Sequence, residues 1–175
     1  MGSFTPPELL TAQHDRSGFD CGSFAQTAWL RERGLFAMGQ DTARVYVTCP
    51  TGEVRVVGYY ALTVGSVDPQ TAPGRMTKGA GRYPLPVIIL ARLGVDVTVQ
   101  GRGVGRSLVA DALRRVSQAA HVVGVRALLI YAQNAEARAF YEALAEFEPA
   151  PSDPLHLFLS LKDIRRALDA ASRGA

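Results

Sequence analysis

The chain has 175 residues, of which 47% are hydrophobic and 20% charged, and a formal net charge of +3. That length suits one well-cored domain and that composition excludes extended disorder, while apolar runs such as residues 87–91, which stop at Arg92, fall far short of the roughly 20 residues a membrane helix needs. The small positive charge permits a polyanionic partner without requiring one.

Residues 1–18, "MGSFTPPELLTAQHDRSG", lack the basic start and apolar stretch of a secretory signal. Cys21 and Cys49 stand without CxxC spacing, so the expectation is a cytoplasmic protein with no disulfide and no metal site, both thiols packing as small hydrophobes. Residues 24–36, "FAQTAWLRERGLF", predict a helix whose partial apolar face is Phe24, Ala28, Trp29 and Leu35. Residues 44–49 and 53–64, joined by Pro50-Thr51-Gly52, predict a β-hairpin. Residues 68–84 hold three prolines, three glycines and the basic Arg75, Lys78 and Arg82. They predict a long loop, which in a compact domain points to function.

Residues 85–99 predict an apolar strand, and Val104, Leu108, Ala112 and Val116 recur four apart with Leu113 beside them, leaving Arg106, Asp111, Arg114 and Arg115 off that face: an amphipathic helix. A buried strand over 125–132, a helix over 134–144 and an alternating terminal strand over 155–161 complete the chain. There is no internal repeat or low-complexity linker. The order implies an α/β fold with a mixed sheet.

Between strand and helix lies "VQGRGVGRS", with glycines at alternate positions. Glycine there lets the backbone turn tightly or approach a ligand, and the amides at the helix start favour an anion. A P-loop would need GxxxxGK[ST], which is absent. A Rossmann fingerprint would need an acidic residue about 20 positions on to hold a ribose, but the next strand ends in Tyr131-Ala132-Gln133. A plain connector with surplus glycines is a further reading. The pattern Gln100-x-x-Gly103-x-Gly105 resembles the acetyl-CoA loop of the GCN5-related N-acetyltransferases (GNAT).

The segment "NAEARAFYEAL" is similar to a second element of that superfamily, N-x-x-A-x-x-F-Y. The resemblance implies that the backbone amides of the loop, over Gln100, Gly101, Gly103 and Gly105, hold the pyrophosphate of coenzyme A, that Arg102 and Arg106 add charge there, and that Leu93 and Val95 on the preceding strand also bind the cofactor. It further implies that Asn134 touches the pantetheine arm, Phe140 lies near the pyrophosphate or sulfur, and Tyr141 reaches the thioester. A phenol there would donate to the departing thiolate. Phe140 also suits packing of its helix against the sheet.

A narrower resemblance runs through nearly the whole chain. "HDRSGFDCG", "RVYVTC", "VVGYYAL", "RMTKG", "RYPLPVIILARLGVD", "QGRGVGRSL", "GVRALLIYA", "ARAFYEALAEFEPAP" and "LHLFLSLKDI" are together similar to the acetyltransferase toxins of type II toxin-antitoxin systems. This implies one N-acetyltransferase domain over 1–175 with an acetyl-CoA core at about 85–161, and a mixed, mainly antiparallel sheet flanked by helices. It implies transfer of acetyl from acetyl-CoA, without a metal, to the α-amino group of aminoacyl-tRNA, which blocks translation. The implied partner is a ribbon-helix-helix antitoxin, and the resemblance leaves room for a homodimer. Acetylation of a small amine or a protein N-terminus is the alternative within the same chemistry.

Where the family reads "FYERFGFEPSP", this chain has one extra residue and no glycine after Tyr141. Without a left-handed glycine the helix is expected to run on or to end in strain. That departure keeps open a third reading, a non-catalytic antitoxin-binding or repressor component. His14, His121 and His156 have no carboxylate at a helpful spacing and read as surface or structural residues. Arg75, Lys78, Arg82 and Arg92 are the candidates for tRNA phosphates.

Overall fold

The computed structural model of the protein describes residues 2–174. In chain order its elements are β1 (Glu8–Leu9), α1 (Phe24–Ala28), a π-helical stretch (Trp29–Gly34), α2 (Leu35–Gly39), β2 (Arg44–Thr48), β3 (Gly58–Val67), a short 3-10 turn (Pro69–Thr71), α3 (Gly74–Thr77), β4 (Leu85–Val95), α4 (Val104–Ala119), β5 (Ala127–Tyr131), α5 (Ala135–Glu142), β6 (Glu148–Pro149), β7 (His156–Ser160) and α6 (Leu161–Arg173). The strands form a seven-stranded sheet in the order β1-β2-β3-β4-β5-β7-β6. β4 and β5 are parallel, whereas β1–β2, β2–β3, β5–β7 and β6–β7 are antiparallel. This is the mixed, mainly antiparallel sheet expected. No helix of the described residues is long and apolar enough to cross a membrane.

By internal contacts the chain divides into two compact units, one of Met1–Thr63 with Ala91–Ala112 and one of Val64–Leu90 with Leu113–Ala175. The first unit is centred on Leu10, Phe19, Leu30, Val45, Val47, Val56 and Tyr59, all buried, with Trp29 packed against them. Tyr59 stacks on Trp29 at 6.1 Å and meets Phe19 edge-on at 5.5 Å. Its hydroxyl donates to the Gln26 carbonyl, 2.7 Å away. The ring therefore fills the core and still satisfies its polar end. A Cβ at Gly58 would stand 3.0 Å from Val104 Cγ1 and 3.1 Å from Leu108 Cδ1, so the start of α4 lies directly against β3. The second unit is centred on Met76, Leu85, Val87, Leu129 and Phe158.

The hairpin expected after residue 44 forms, with Val45 opposite Ala61 and Val47 opposite Tyr59, but its second strand begins at Gly58 rather than at residue 53. Residues 54–56 pair elsewhere: Arg55 bridges Asp15, Asp15 N donates to the Val54 carbonyl and Val56 N to the Asp15 carbonyl, while Val57 N still bonds the Thr48 carbonyl of β2 at 3.0 Å. The strand expected to reach residue 99 stops at Val95 because residues 97–101 turn. The loop over 68–84 contains α3 and the 3-10 turn, the latter capped by Asp68 Oδ1 on Gln70 N.

The face expected of the first helix is also corrected. Phe24 is 90% exposed, while Leu30, Gly34 and Ala37 are buried. The π-helical stretch shifts the register between the two flanking α segments, so a pattern counted at one constant period misplaces its first turn. Strand β7 is neither terminal nor alternating. It lies between β5 and β6, with Leu157, Phe158 and Leu159 all buried, and the polypeptide continues into α6.

Candidate active site

The strand-to-helix junction of the first unit turns at Gly101 and Gly103, with φ of +78° and +82°. A Cβ on either would have nothing within 4 Å. Glycine is thus required by the left-handed backbone, not by crowding within the chain, and the loop presents open space along its backbone. The first α-helical bond of α4 runs from Ser107 N to the Gly103 carbonyl, 3.1 Å. The amides of Val104, Gly105 and Arg106 precede that ladder and form the positive end of the helix dipole. Open space, orphan amides and the exposed Arg106 together suit a pyrophosphate.

Three side chains fix this loop from behind. Asp96, buried, accepts from Thr98 Oγ1 at 2.6 Å, Thr98 N at 3.0 Å and Asp20 N at 3.0 Å. Burial raises its pKa, but those hydrogen bonds and the Arg55 charge outweigh it and hold the carboxyl below its ordinary value. Gln100 Nε2 donates to the Val95 carbonyl at 2.9 Å and the Cys21 carbonyl at 3.2 Å, so its side chain latches the loop to the strand end. Arg102 donates to the Gly2 carbonyl at 3.1 Å and lies 4.9 Å from the Phe4 ring centroid, so its guanidinium is engaged with the amino-terminal segment. Leu93 and Val95 are half-buried on β4. Sequence reading passed over Asp96; its Asp-x-Thr spacing, the pattern of a local side-chain turn, is the signal that could have found it.

In the second unit, Asn134 caps α5, its Oδ1 accepting from Ala137 N at 2.9 Å. That use explains why Asn stands there locally, and the cap takes only the carbonyl oxygen. Tyr141 is the buried member of the aromatic pair and Phe140 the half-buried one, their ring centroids 5.2 Å apart. Phe147 meets Tyr141 from another side at 6.1 Å. Burial pushes the Tyr141 phenol well above its ordinary value, so at neutral pH it is a protonated donor.

The strain expected after Tyr141 is absent. The helix ends at Glu142 with Ala143 in right-handed helical conformation, and Leu144 N bonds the Tyr141 carbonyl at 2.9 Å. Asp41 is the one non-glycine with positive φ among the described residues. A short turn thus stands where the glycine cap was expected.

The basic candidates fall into different surroundings. Arg75 is bound to Glu148 and Asp163, each at 2.5 Å, and so holds α3, β6 and α6 of the second unit together. Lys78 and Arg82 are exposed. The loop carrying Lys78 is held by Arg126, which donates to the carbonyls of Met76 and Lys78. Arg92 belongs to the first unit, where it lies 5.6 Å from the Trp29 ring centroid and 3.4 Å from Gln26 Oε1.

Other expectations need correction. Two of the three histidines do have carboxylate neighbours: His14 Nε2 lies 3.2 Å from Glu8 and His156 Nε2 3.4 Å from Asp153. Asp111 is buried, not off the packed face, and accepts from the Tyr60 hydroxyl at 2.5 Å. Cys49 is buried, which pushes its thiol up to about 11, but Cys21 is only half-buried. Its Sγ lies 3.3 Å from Thr27 Oγ1.

Residues 8–147 match the acetyltransferase (GNAT) family. The chain is 44% identical over 165 residues to a tRNA-acetylating toxin of Mycobacterium tuberculosis, covering 94% of this chain and 97% of the relative. It is 27% identical over 160 residues to a probable toxin TacT of Sinorhizobium fredii, covering 87% and 88%. Among solved structures it is similar to a tyrosine-to-phenylalanine mutant of KacT, with TM-score 0.86 and 30% identity over 93% of this chain and 98% of that one. AtaT complexed with acetyl-methionyl-tRNAfMet matches with TM-score 0.84 and 31% identity over 94% and 98%. With its glycine loop, its capped aromatic helix and this match over most of its length, the chain belongs to the GNAT acetyltransferase family.

Proposed function

We propose that this protein is a toxin N-acetyltransferase that moves acetyl from acetyl-CoA to the α-amino group of aminoacyl-tRNA, thereby blocking translation, and that a cognate antitoxin neutralises it. The observation that carries this reading is the likeness along nearly the whole chain to a tRNA-acetylating toxin, joined to a glycine loop whose geometry suits a pyrophosphate. We assign acetyl-CoA to the amides at 101–106, with Gln100 positioning the loop and Leu93 and Val95 lining it. The NH2 group of Asn134, left over from its capping role, would meet a carbonyl of the pantetheine arm, and Phe140 would lie beside that arm.

In the transfer, the amine nitrogen attacks the thioester carbonyl carbon, the C–N bond forms, the C–S bond breaks and sulfur leaves as a thiolate. Tyr141 donates its proton to that sulfur and is reprotonated by the proton that the attacking nitrogen sheds as it becomes the amide. A phenol kept protonated by burial serves this because developing thiolate charge is what its O–H is there to meet. The acceptor ammonium loses its proton without a dedicated base, since an α-amino group titrates near pH 8 and a substantial share is neutral at working pH.

Lys78 and Arg82 are the exposed cations assigned to tRNA phosphate. Arg75 is assigned to holding their loop, because both of its carboxylate partners already occupy it. The reading places the protein in the cytoplasm, beside charged tRNA, with an antitoxin of the ribbon-helix-helix type. Incubation with labelled acetyl-CoA and a pool of aminoacylated tRNAs, followed by mass spectrometry of the released aminoacyl adenosines, tests it. N-acetylated aminoacyl adenosine is the expected product; acetylated free amines or peptides, with none from the tRNA pool, would replace this acceptor by a small amine or a protein N-terminus.

A further inference from the structure

The first unit holds a cleft of about 450 Å³ whose walls include Trp29, Arg33, Phe36, Thr42, Thr63 and Arg92. Trp29, Arg33, Phe36 and Gln40 come from the helical run formed by the π-helical stretch and α2 with its cap, and line the same cleft. Two aromatic faces on these walls each carry a guanidinium: Arg33 lies 4.9 Å from the Phe36 centroid and Arg92 lies 5.6 Å from that of Trp29. Phe36 is 55% exposed. Among the described residues no carboxylate lines the cleft.

A simple apolar core would not leave a large ring so open, and a site for a cation would not be lined by two arginines alone. A ligand that combines flat π faces with negative charge satisfies both features. Single-stranded RNA has that chemistry, since unstacked bases lie on aromatic rings and arginine planes while phosphates meet the same guanidinium groups. We propose that this cleft receives an unpaired nucleobase near the 3′ end of the acceptor RNA, stacked on Phe36 with Arg33 and Arg92 at its phosphates. The proposal rests on the aminoacyl-tRNA reading above and names the subsite through which the single-stranded end is gripped.

Trp29 is the chain's one tryptophan, so its fluorescence reports on this cleft directly. Titration with a short single-stranded oligoribonucleotide ending in CCA is expected to quench it, and the same oligomer with abasic 3′-terminal positions to leave it unchanged. Phe36→Ala is expected to weaken binding by about tenfold, the scale of one lost base stack, and to raise KM for charged tRNA similarly; Phe36→Tyr is expected to restore both. Arg33→Glu is a second variant at an exposed position, expected to act in the same direction, with acetyl-CoA affinity as the control for folding. Absence of quenching, equal binding of the abasic oligomer, or unchanged KM in both variants, with the unsubstituted protein acetylating charged tRNA, would overturn the subsite and leave the function standing. Failure of the unsubstituted protein to acetylate any charged tRNA would overturn the function itself.

Discussion

Tyr141 differs from a surface tyrosine in two ways: its ring is packed among Phe140 and Phe147, and burial pushes its phenol pKa upward. Replacing it by phenylalanine removes only the hydroxyl, so the packing survives. Tyr141→Phe is expected to keep acetyl-CoA affinity, measured by calorimetry, and to lose transfer rate by roughly tenfold or more, about 1.4 kcal/mol of transition-state stabilisation. Unchanged turnover with charged tRNA would move the proton donor elsewhere. Gly103 makes a different demand. At φ +82° a β-branched residue is strained whatever the space around it, so Gly103→Val is expected to distort the amide cradle and to weaken acetyl-CoA by roughly tenfold or more, with far-UV circular dichroism unchanged. The residue types at 101–106 and at 134–141 were legible because motif spacing reports on what the backbone must do. What Gln100, Arg102 and Asn134 actually touch was not legible. Those partners lie at Cys21 and Val95, at Gly2, and in a cap, and two of the three depend on segments distant in sequence.

At the scale of elements, α6 is tied to the basic loop of the second unit by one buried carboxylate. Asp163 accepts from Arg75 Nη2 at 2.5 Å and from Ser160 Oγ at 3.0 Å, with Arg166 Nη1 3.4 Å from its other oxygen. Burial alone would raise its pKa; the Ser160 and Arg75 bonds and the two arginine charges outweigh burial and lower it. A carboxyl whose folded pKa lies below its unfolded value near 3.9 adds stability that is full above that value and is lost as pH falls through the folded one. Asp163→Asn is therefore expected to lower the midpoint of urea unfolding at pH 7 and to flatten the fall in stability on acidification below about pH 4. An acid limb as steep as that of the unsubstituted protein would show that other carboxyls carry it. The core strands were legible from their apolar runs. Helix α6 was missed although Ser160 and Asp163, with the Ser160 side chain capping Asp163 N, form a helix-start signal, because the alternation assumed for 155–161 made the strand look like the chain's end. It is interior, and a strand buried on both faces does not alternate.

For the molecule as a whole, the net charge of +3 is modest, so affinity for tRNA depends on where cations are free rather than on their number. Lys78 and Arg82 are exposed, whereas Arg75 is held by two carboxylates. The double variant Lys78→Ala/Arg82→Ala is expected to raise KM for charged tRNA, to reduce the slope of log KM against log salt by about 1 to 2, and to leave acetyl-CoA binding intact. Arg75→Ala is expected instead to lower thermal stability, since it strips the buried Asp163 of its strongest partner. An equal effect of both on salt dependence would restore Arg75 to the RNA surface. The fold class and the glycine loop ahead of α4 could be read from local patterns. The distribution of free and occupied arginines could not, because a guanidinium's availability is decided by its neighbours in space.

The six-residue π-helical stretch at Trp29–Gly34 is what a single inserted residue leaves in an otherwise regular helix. Removing one residue from it, such as the exposed Glu32, would let the helix close at its ordinary pitch, and the step of about 100° lost with that residue would be regained as the wide turn tightens. Leu30 and Ala37, both buried, would therefore still face the core together. The surplus residue is thus a local widening of one turn: a chain one residue shorter is expected to keep both its helix and the faces of the two flanking segments.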